Sequence, residues 1–316
     1  MESHVQATVS NPRGVLNTQP ELDLSLRSSP ALWQGKPTAL RIALGGHLRR
    51  LREASGITRE AAGYTIRASS SKISRLEIGR APFKERDVAD LLTLYGVTDA
   101  EERETLLTLA HQANAPGWWH EYGDVLPNWF ETYLGLEQAA SVIRTYEPQL
   151  VPGLLQTEDY AHAIMRLRHL HVSDGEIERR VALRMARQAF LSQPGAPSLW
   201  VALDEAALRR PLGDHKLQRA QLLHLIETVE RPNITLQIVP FDAGGHAATG
   251  GPFTILRFSE PDLPDIVYLE HLTNALYLDR NTDTVAYLQI MDNLCIQAES
   301  PTGTVSFLHR IINELS

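Results

Sequence analysis

From residue 40 onward the apolar positions recur at three- and four-residue steps, the period of helices packed on one side. Leu44, Leu48 and Leu51 form the first stripe, Arg49, Arg50 and Arg52 occupy the other faces, and Gly56 follows as a C-terminal stop. Thr58 is placed to cap a short second helix, with Glu60 near its positive end. The chain then turns at Arg67 and Ala68. Ser69 is placed to cap a third helix, whose Ile73 and Leu76 lie three apart and face the same side, leaving Ser70, Ser71, Lys72 and Arg75 for solvent or a partner. Val88, Leu91, Leu92 and Tyr95 give a fourth helix over 84–95. Asp99 caps a fifth that runs to about 114, with Leu106, Leu107 and Ala110 inward. The pattern before residue 38 is different: Pro12, Pro20, Pro30 and Pro37 stand among Asn, Ser, Thr and Gln with no sustained period, so 1–37 reads as a mobile, disordered N-terminal arm.

Beyond 114 the chain first concentrates aromatic residues, Trp118, Trp119 and Trp129 among them, with no basic residues interleaved. Such a cluster nucleates a core or an interface in preference to stacking nucleotides. Helical periods follow over 159–170 and 173–191, the second with Arg179, Arg180, Arg184 and Arg187 on one face. Strand-like runs come next, SLWVAL, ITLQIVP, FTILRF and DIVYLE, with a helix over 216–230 between the first two and helices over 282–297 and 303–315 at the end. The expected fold class is mainly α, with an α+β C-terminal part whose small sheet is mostly antiparallel. The expected division is an arm over 1–37, a five-helix domain over 38–114 and a regulatory or partner-binding domain over 115–316.

Composition changes this picture chiefly through charge. The whole chain carries a net charge of -8, yet 38–98 holds eleven basic and six acidic residues, a balance of +5 that leaves -13 for the rest. A small basic module on an acidic remainder suits a nucleic-acid reader with a separate regulatory domain. No apolar run approaches the roughly 18 residues of a membrane span, and the first residues lack the basic start and apolar stretch of a secretion signal, so a cytoplasmic protein with no membrane partner is expected, associated with the nucleoid when bound to DNA. The single cysteine, Cys295, lies in an apolar stretch and reads as a small packed side chain.

The stretch GITREAAGYTIRASSSKISRLEIGRAPFKERDVADLLTLYGV, and KISRLEIGR above all, resembles the helix-turn-helix domain of the Cro/C1 repressor class, the XRE family. The resemblance implies that the third helix enters the major groove of double-stranded DNA. Carried over position by position, it places Ser70, Ser71 and Arg75 at base edges and Lys72 and Arg80 nearer the backbone, and counts Ser69, Thr58 and Arg59 among the DNA-binding residues. Serine hydroxyls can donate and accept, and Arg75 can pair bidentately with guanine. The resemblance also implies a structural pair between Glu77 and Arg52, and binding as a homodimer to a palindromic operator. Three positions depart from the family pattern: Gly63 stands where a packed Ala is usual, Arg67 where the turn carries Gly, and Ala62 where a larger apolar residue sits, a gap that Tyr64 or Ile66 could fill.

The rest of the chain, through GWWHEYGDVLPNWFETYLGLE, YEPQLVPGLLQTEDYA, LDEAALRRPLGD, ITLQIVPFDAGGHAATGGPFTILRF and DIVYLEHLTNALYLD, resembles the uncharacterised domain that follows the helix-turn-helix in actinobacterial regulators of the WhiJ-like group. This implies a transcriptional regulator whose C-terminal domain senses a small companion protein encoded nearby, in an antitoxin-like arrangement, or a ligand. The competing class is an enzymatic or metabolite-binding module that the helix-turn-helix targets to DNA. FDAGGHAATGGPF lacks the Lys-Ser/Thr ending of a phosphate loop, and His246, Glu270 and His271 lack metal-site spacing, so no catalytic residue, metal or cofactor is expected. Asp204 and Glu205 beside Arg209 and Arg210 read as ion pairs or partner contacts.

Overall fold

The computed structural model describes residues 36–259 and 263–315; residues 1–35 of the expected arm lie outside the described residues. The first helix, α1 (Pro37–Ala54), starts three residues before the periodic stripe becomes visible, because Pro37 occupies its first turn, where a missing N–H costs nothing. It is followed by α2 (Arg59–Thr65), α3 (Ser70–Glu77), α4 (Glu85–Leu94) and α5 (Ala100–Ala113). Thr58, Ser69 and Asp99 each accept a hydrogen bond from a first-turn amide, of Ala61, Lys72 and Glu102 respectively. Leu44, Leu48, Leu51, Ile73, Leu76, Leu91, Leu92 and Leu106 close the core between these helices.

The remainder is helix-rich and built on a six-stranded mixed sheet. Its elements are α6 (Asn128–Ala139), β1 (Val142–Glu147), α7 (Glu158–Arg168), α8 (Asp174–Gln188), β2 (Ser198–Asp204), α9 (Glu205–Arg209), α10 (His215–Thr228), β3 (Ile234–Val239), β4 (Phe253–Arg257), β5 (Ile266–Glu270), β6 (Ala275–Leu278), α11 (Asn281–Gln297) and α12 (Pro301–Glu314). The strand order is β3-β2-β1-β4-β5-β6. The pairs β1–β2 and β2–β3 are parallel, and β1–β4, β4–β5 and β5–β6 are antiparallel. The parallel half arises because helices α7–α8 and α9–α10 carry the chain back between strands, as a parallel pairing requires.

Alternation along the strands assigns the two faces. Tyr146, Ala202, Phe253, Ile255 and Val267 pack with Met291 and Leu294 of α11. Ile143, Val201, Leu236 and Leu256 belong instead to the large core that includes Phe307 and Ile311 of α12 and the whole helical N-terminal part. Trp119, with Trp118 edge-on at 5.9 Å, packs on Leu126, Leu134 and Leu183, so this aromatic stretch is a core element. Half-buried Cys295 lies at the edge of the α11 face, and burial pushes its thiol up. Among the described residues no helix is long and apolar enough to cross a membrane.

Helix α1 joins the two parts. Gly45 lets it approach the last turn of α3, since a Cβ there would lie 2.8 Å from the Glu77 carbonyl oxygen and still nearer that of Leu76. On α6, Gly135 is crossed so closely by Thr38 of α1 that any side chain would collide with it. Arg41, counted among the basic residues of the sequence, is spent on structure: its guanidinium donates to the Ala113 carbonyl at 2.9 and 3.1 Å and closes the end of α5.

Candidate nucleic-acid interface

Helices α2 and α3 are joined by a turn held by two backbone hydrogen bonds, Arg67 N to Tyr64 O at 3.1 Å and Ala68 N to Gly63 O at 2.8 Å. Arg67 has φ +54°, the left-handed conformation for which glycine is the low-cost residue. Gly63 has no room for anything larger, because a Cβ there would sit 2.7 Å from the Ala68 carbonyl oxygen. The two departures from the Cro/C1 pattern are therefore neighbours across one turn. Of the residues that could replace the missing bulk at Ala62, Ile66 is buried, whereas Tyr64 is 87 % exposed on α2; the sequence reading put Tyr64 among the core candidates because its spacing fits either face.

A three-residue charge network sets the pose of α3. Glu77 is buried, and its carboxylate accepts from Arg52 through a short bond to Nε and a second at 3.3 Å, and from Arg59 Nε at 3.0 Å. Arg52 also donates to the Ile57 carbonyl at 2.9 Å, tying the end of α1 to the start of α2. The hydrogen bond that Arg52 donates to Glu77 is the main reason that its guanidinium is held above its ordinary value. Lys72 Nζ donates to Asp87 at 2.6 Å and links α3 to the start of α4.

The nominated residues thus separate into three groups. Ser71 and Arg75 are exposed and Ser70 half-buried on the outward side of α3, and the Arg75 side chain makes no hydrogen bond or ion pair among the described residues. Thr58 and Ser69 are helix caps, with their hydroxyls at the surface. Arg59, Lys72 and Arg80 already have partners inside the molecule. Arg80 leaves the end of α3 for the other half of the chain, where its guanidinium lies 5.5 Å from the centre of the Tyr277 ring and donates to the Tyr277 carbonyl at 3.4 Å. No sequence period could have shown that contact, because it joins residues 197 apart.

The residues considered for acid–base chemistry go separate ways. His246 Nε2 lies 3.1 Å from the Tyr146 hydroxyl and 3.7 Å from Asp204, and its Nδ1 accepts from the Ala248 amide at 3.3 Å. That bond puts the proton of the neutral ring on Nε2, and the side chain pins the glycine-rich loop to the sheet. Glu270 instead accepts from Arg168 and from the Tyr268 hydroxyl, both at 3.1 Å. The His271 amide closes the β5–β6 hairpin on the Asn274 carbonyl. Asp204 caps α9, and Glu205 pairs with Arg209, which also reaches Glu314. Among the described residues no group of three His, Cys, Asp or Glu side chains could hold a metal ion.

Compared with known proteins, residues 43–106 match the sequence family described as a helix-turn-helix domain, which covers α2 and α3 and most of the helices packed on them. No curated protein and no solved structure matches the chain. Residues 130–310, more than half of its length and the whole of the sheet, match the domain of unknown function DUF5753, and the chain belongs to that family.

Proposed function

We propose that this DNA-binding regulator is of the Cro/C1 (XRE) type, reads a palindromic operator as a homodimer, and belongs to the actinobacterial WhiJ-like group. The observation that carries the reading is the pose of α3: Glu77 and its two arginines fix the inner side, and Ser70, Ser71 and Arg75 are presented outward. Two recognition helices about 34 Å apart meet successive major-groove turns of a palindrome, and pairing two weak modules supplies affinity through effective concentration. The acidic C-terminal part, repelled by phosphate, offers its surface to the second copy and to a small companion protein in an antitoxin-like arrangement, whose binding shifts DNA affinity. The reading assigns the chain no catalysis and no cofactor, and is supported by the separate commitments of His246 and Glu270.

The test is a fluorescence-anisotropy titration of the full chain against the promoter of its own gene and against scrambled DNA, at two salt concentrations. The promoter is expected to bind about a thousandfold more tightly, with both affinities falling as salt rises. Arg75→Ala is expected to relax base preference at a cost of about 1–3 kcal/mol. Lys72→Ala serves as the backbone control. Equal, weak binding to both DNAs, or unchanged preference in Arg75→Ala, would overturn the docking.

A further inference from the structure

The helix-turn-helix and the sheet do not meet flush. Between α1, the end of α3, α6 and the β5–β6 pair they leave a cleft of about 190 Å³. Ligand sites gather at such junctions, and this volume lies below the roughly 300 Å³ at which drug-sized sites begin, so the guest is small. Ile42, Leu136, Ile266 and Tyr277 supply the apolar surface.

Two glycines shape it. Gly79, at φ +68°, seats the turn after α3 directly on α1, because a Cβ there would lie 2.7 Å from the Ile42 Cα. Gly46 stands in the middle of α1, where glycine is destabilising relative to alanine, yet the nearest atom that a Cβ would meet is an Arg50 nitrogen at 3.8 Å. Packing therefore does not require this glycine, whereas an open cleft, which Gly46 lines, does.

The chemistry of the cleft is that of a seat for a cation, and one of the chain's own cations occupies it. Arg80 lies 5.5 Å from the centre of the Tyr277 ring, and its one side-chain hydrogen bond among the described residues, to the Tyr277 carbonyl, is long at 3.4 Å. Val267 stands opposite Leu278 and Tyr268 opposite Tyr277, so Asp279, one residue past β6, falls opposite Ile266 on the same face as Tyr277. Asp279 lines the cleft and makes no side-chain hydrogen bond or ion pair among the described residues, not even with Arg80. The other charges there are matched: Glu77 by Arg52 and Arg59, and Arg49 by Glu53. An aromatic face, a carbonyl and an unmatched carboxylate over an apolar floor recognise an organic cation. Arg80, tethered beyond α3, meets only the first two.

We infer that this cleft binds a small primary amine with an apolar body, its ammonium between Asp279 and Tyr277 in the place of the Arg80 guanidinium. On the DNA-binding reading above, on which this consequence rests, the displaced Arg80 becomes available to a phosphate and the amine strengthens DNA binding. The experiment is isothermal titration of the full chain, without DNA, at pH 7.5 against phenethylamine, tyramine and isoamylamine, each beside the alcohol and the carboxylic acid of the same skeleton. At least one amine is expected to bind saturably, about tenfold more tightly than its alcohol or its acid, and Asp279→Asn, an exposed change, to weaken it about tenfold. Gly46→Leu is expected to abolish binding without lowering the melting temperature. Arg80→Ala, which vacates the seat, is expected to tighten binding about threefold. No binding by any of the three amines, wild-type affinity in Asp279→Asn, equal binding of the alcohol or acid, or weaker binding in Arg80→Ala would overturn the site. Operator affinity at saturating amine is expected to rise about threefold, and an unmoved affinity would overturn the release of Arg80. Because the first titration contains no DNA, the site stands or falls apart from the DNA-binding reading.

Discussion

Charge leaves solvent in two places in this molecule, and it is treated differently in each. At the helix-turn-helix, Glu77 goes inside with two arginines on its oxygens, and Arg52 spends its remaining donors on Glu53 and the Ile57 carbonyl. At the carboxyl ends of β1 and β5, Arg187 and Arg168 are matched, whereas Glu147 makes no side-chain hydrogen bond or ion pair among the described residues and Arg184 donates only to Gln156. Removing charge from water is costly unless partners replace the lost hydration. The first arrangement meets that cost within the fold, as a device that fixes one helix pose. The second meets it by neutralisation: burial and Glu270 push the Glu147 carboxyl up to about 8, so it keeps its proton in the fold.

The comparison can be broken by substitution, beginning with the largest effect. Arg52→Ala leaves Glu77 buried with Arg59 as its only partner and is expected to destabilise by about 3 kcal/mol in thermal or urea melts. Glu147→Gln is expected to act in the opposite sense, with a dependence on pH. An unfolded carboxyl ionises near 4.5 and the native one near 8, so between these values the native state keeps a proton that the unfolded state has released, and wild-type stability falls as pH rises. The glutamine variant escapes that fall. Its melting temperature should match wild type near pH 4.5 and exceed it at pH 8.5, by the equivalent of about 2 kcal/mol.

Smaller effects test the turn beside the network. Gly63→Ala drives a methyl into the Ala68 carbonyl and should cost about 1.5 kcal/mol. Arg67→Gly relieves a left-handed φ and should gain about 0.5 kcal/mol, net of the extra freedom it gives the unfolded chain. Arg49→Ala removes only an exposed pair with Glu53 and should change stability by about 0.3 kcal/mol.

The sequence was most legible where contacts are local. Helices α1 to α5 follow from three- and four-residue steps and from Thr58, Ser69 and Asp99 as caps, all of them interactions within a few residues. Strands β1 and β6 were missed. VIRTYE places Arg144, over Trp200, and Glu147 among apolar residues, and ALYL is only four residues long, so neither shows the alternation of a half-buried strand. The outward side of α3 was legible, but the fates of Lys72 and Arg80 were not, because Asp87 and Tyr277 reach them through tertiary packing. The setting of Glu147 was invisible for the same reason: Glu147, Arg184 and Glu270 come from β1, α8 and β5.

The seating of α1 bears on how portable the DNA-reading half is. Thr38, Ala39 and Leu40 are buried, Thr38 lies in the notch at Gly135, and the core of the first five helices runs without a break into the face of the sheet. A fragment cut after Ala113 would carry a raw apolar flank and lose the seat of Arg80 on Tyr277. Grafting the helix-turn-helix onto another effector, or trading it between relatives, therefore demands that α6 and the β5–β6 hairpin travel with it.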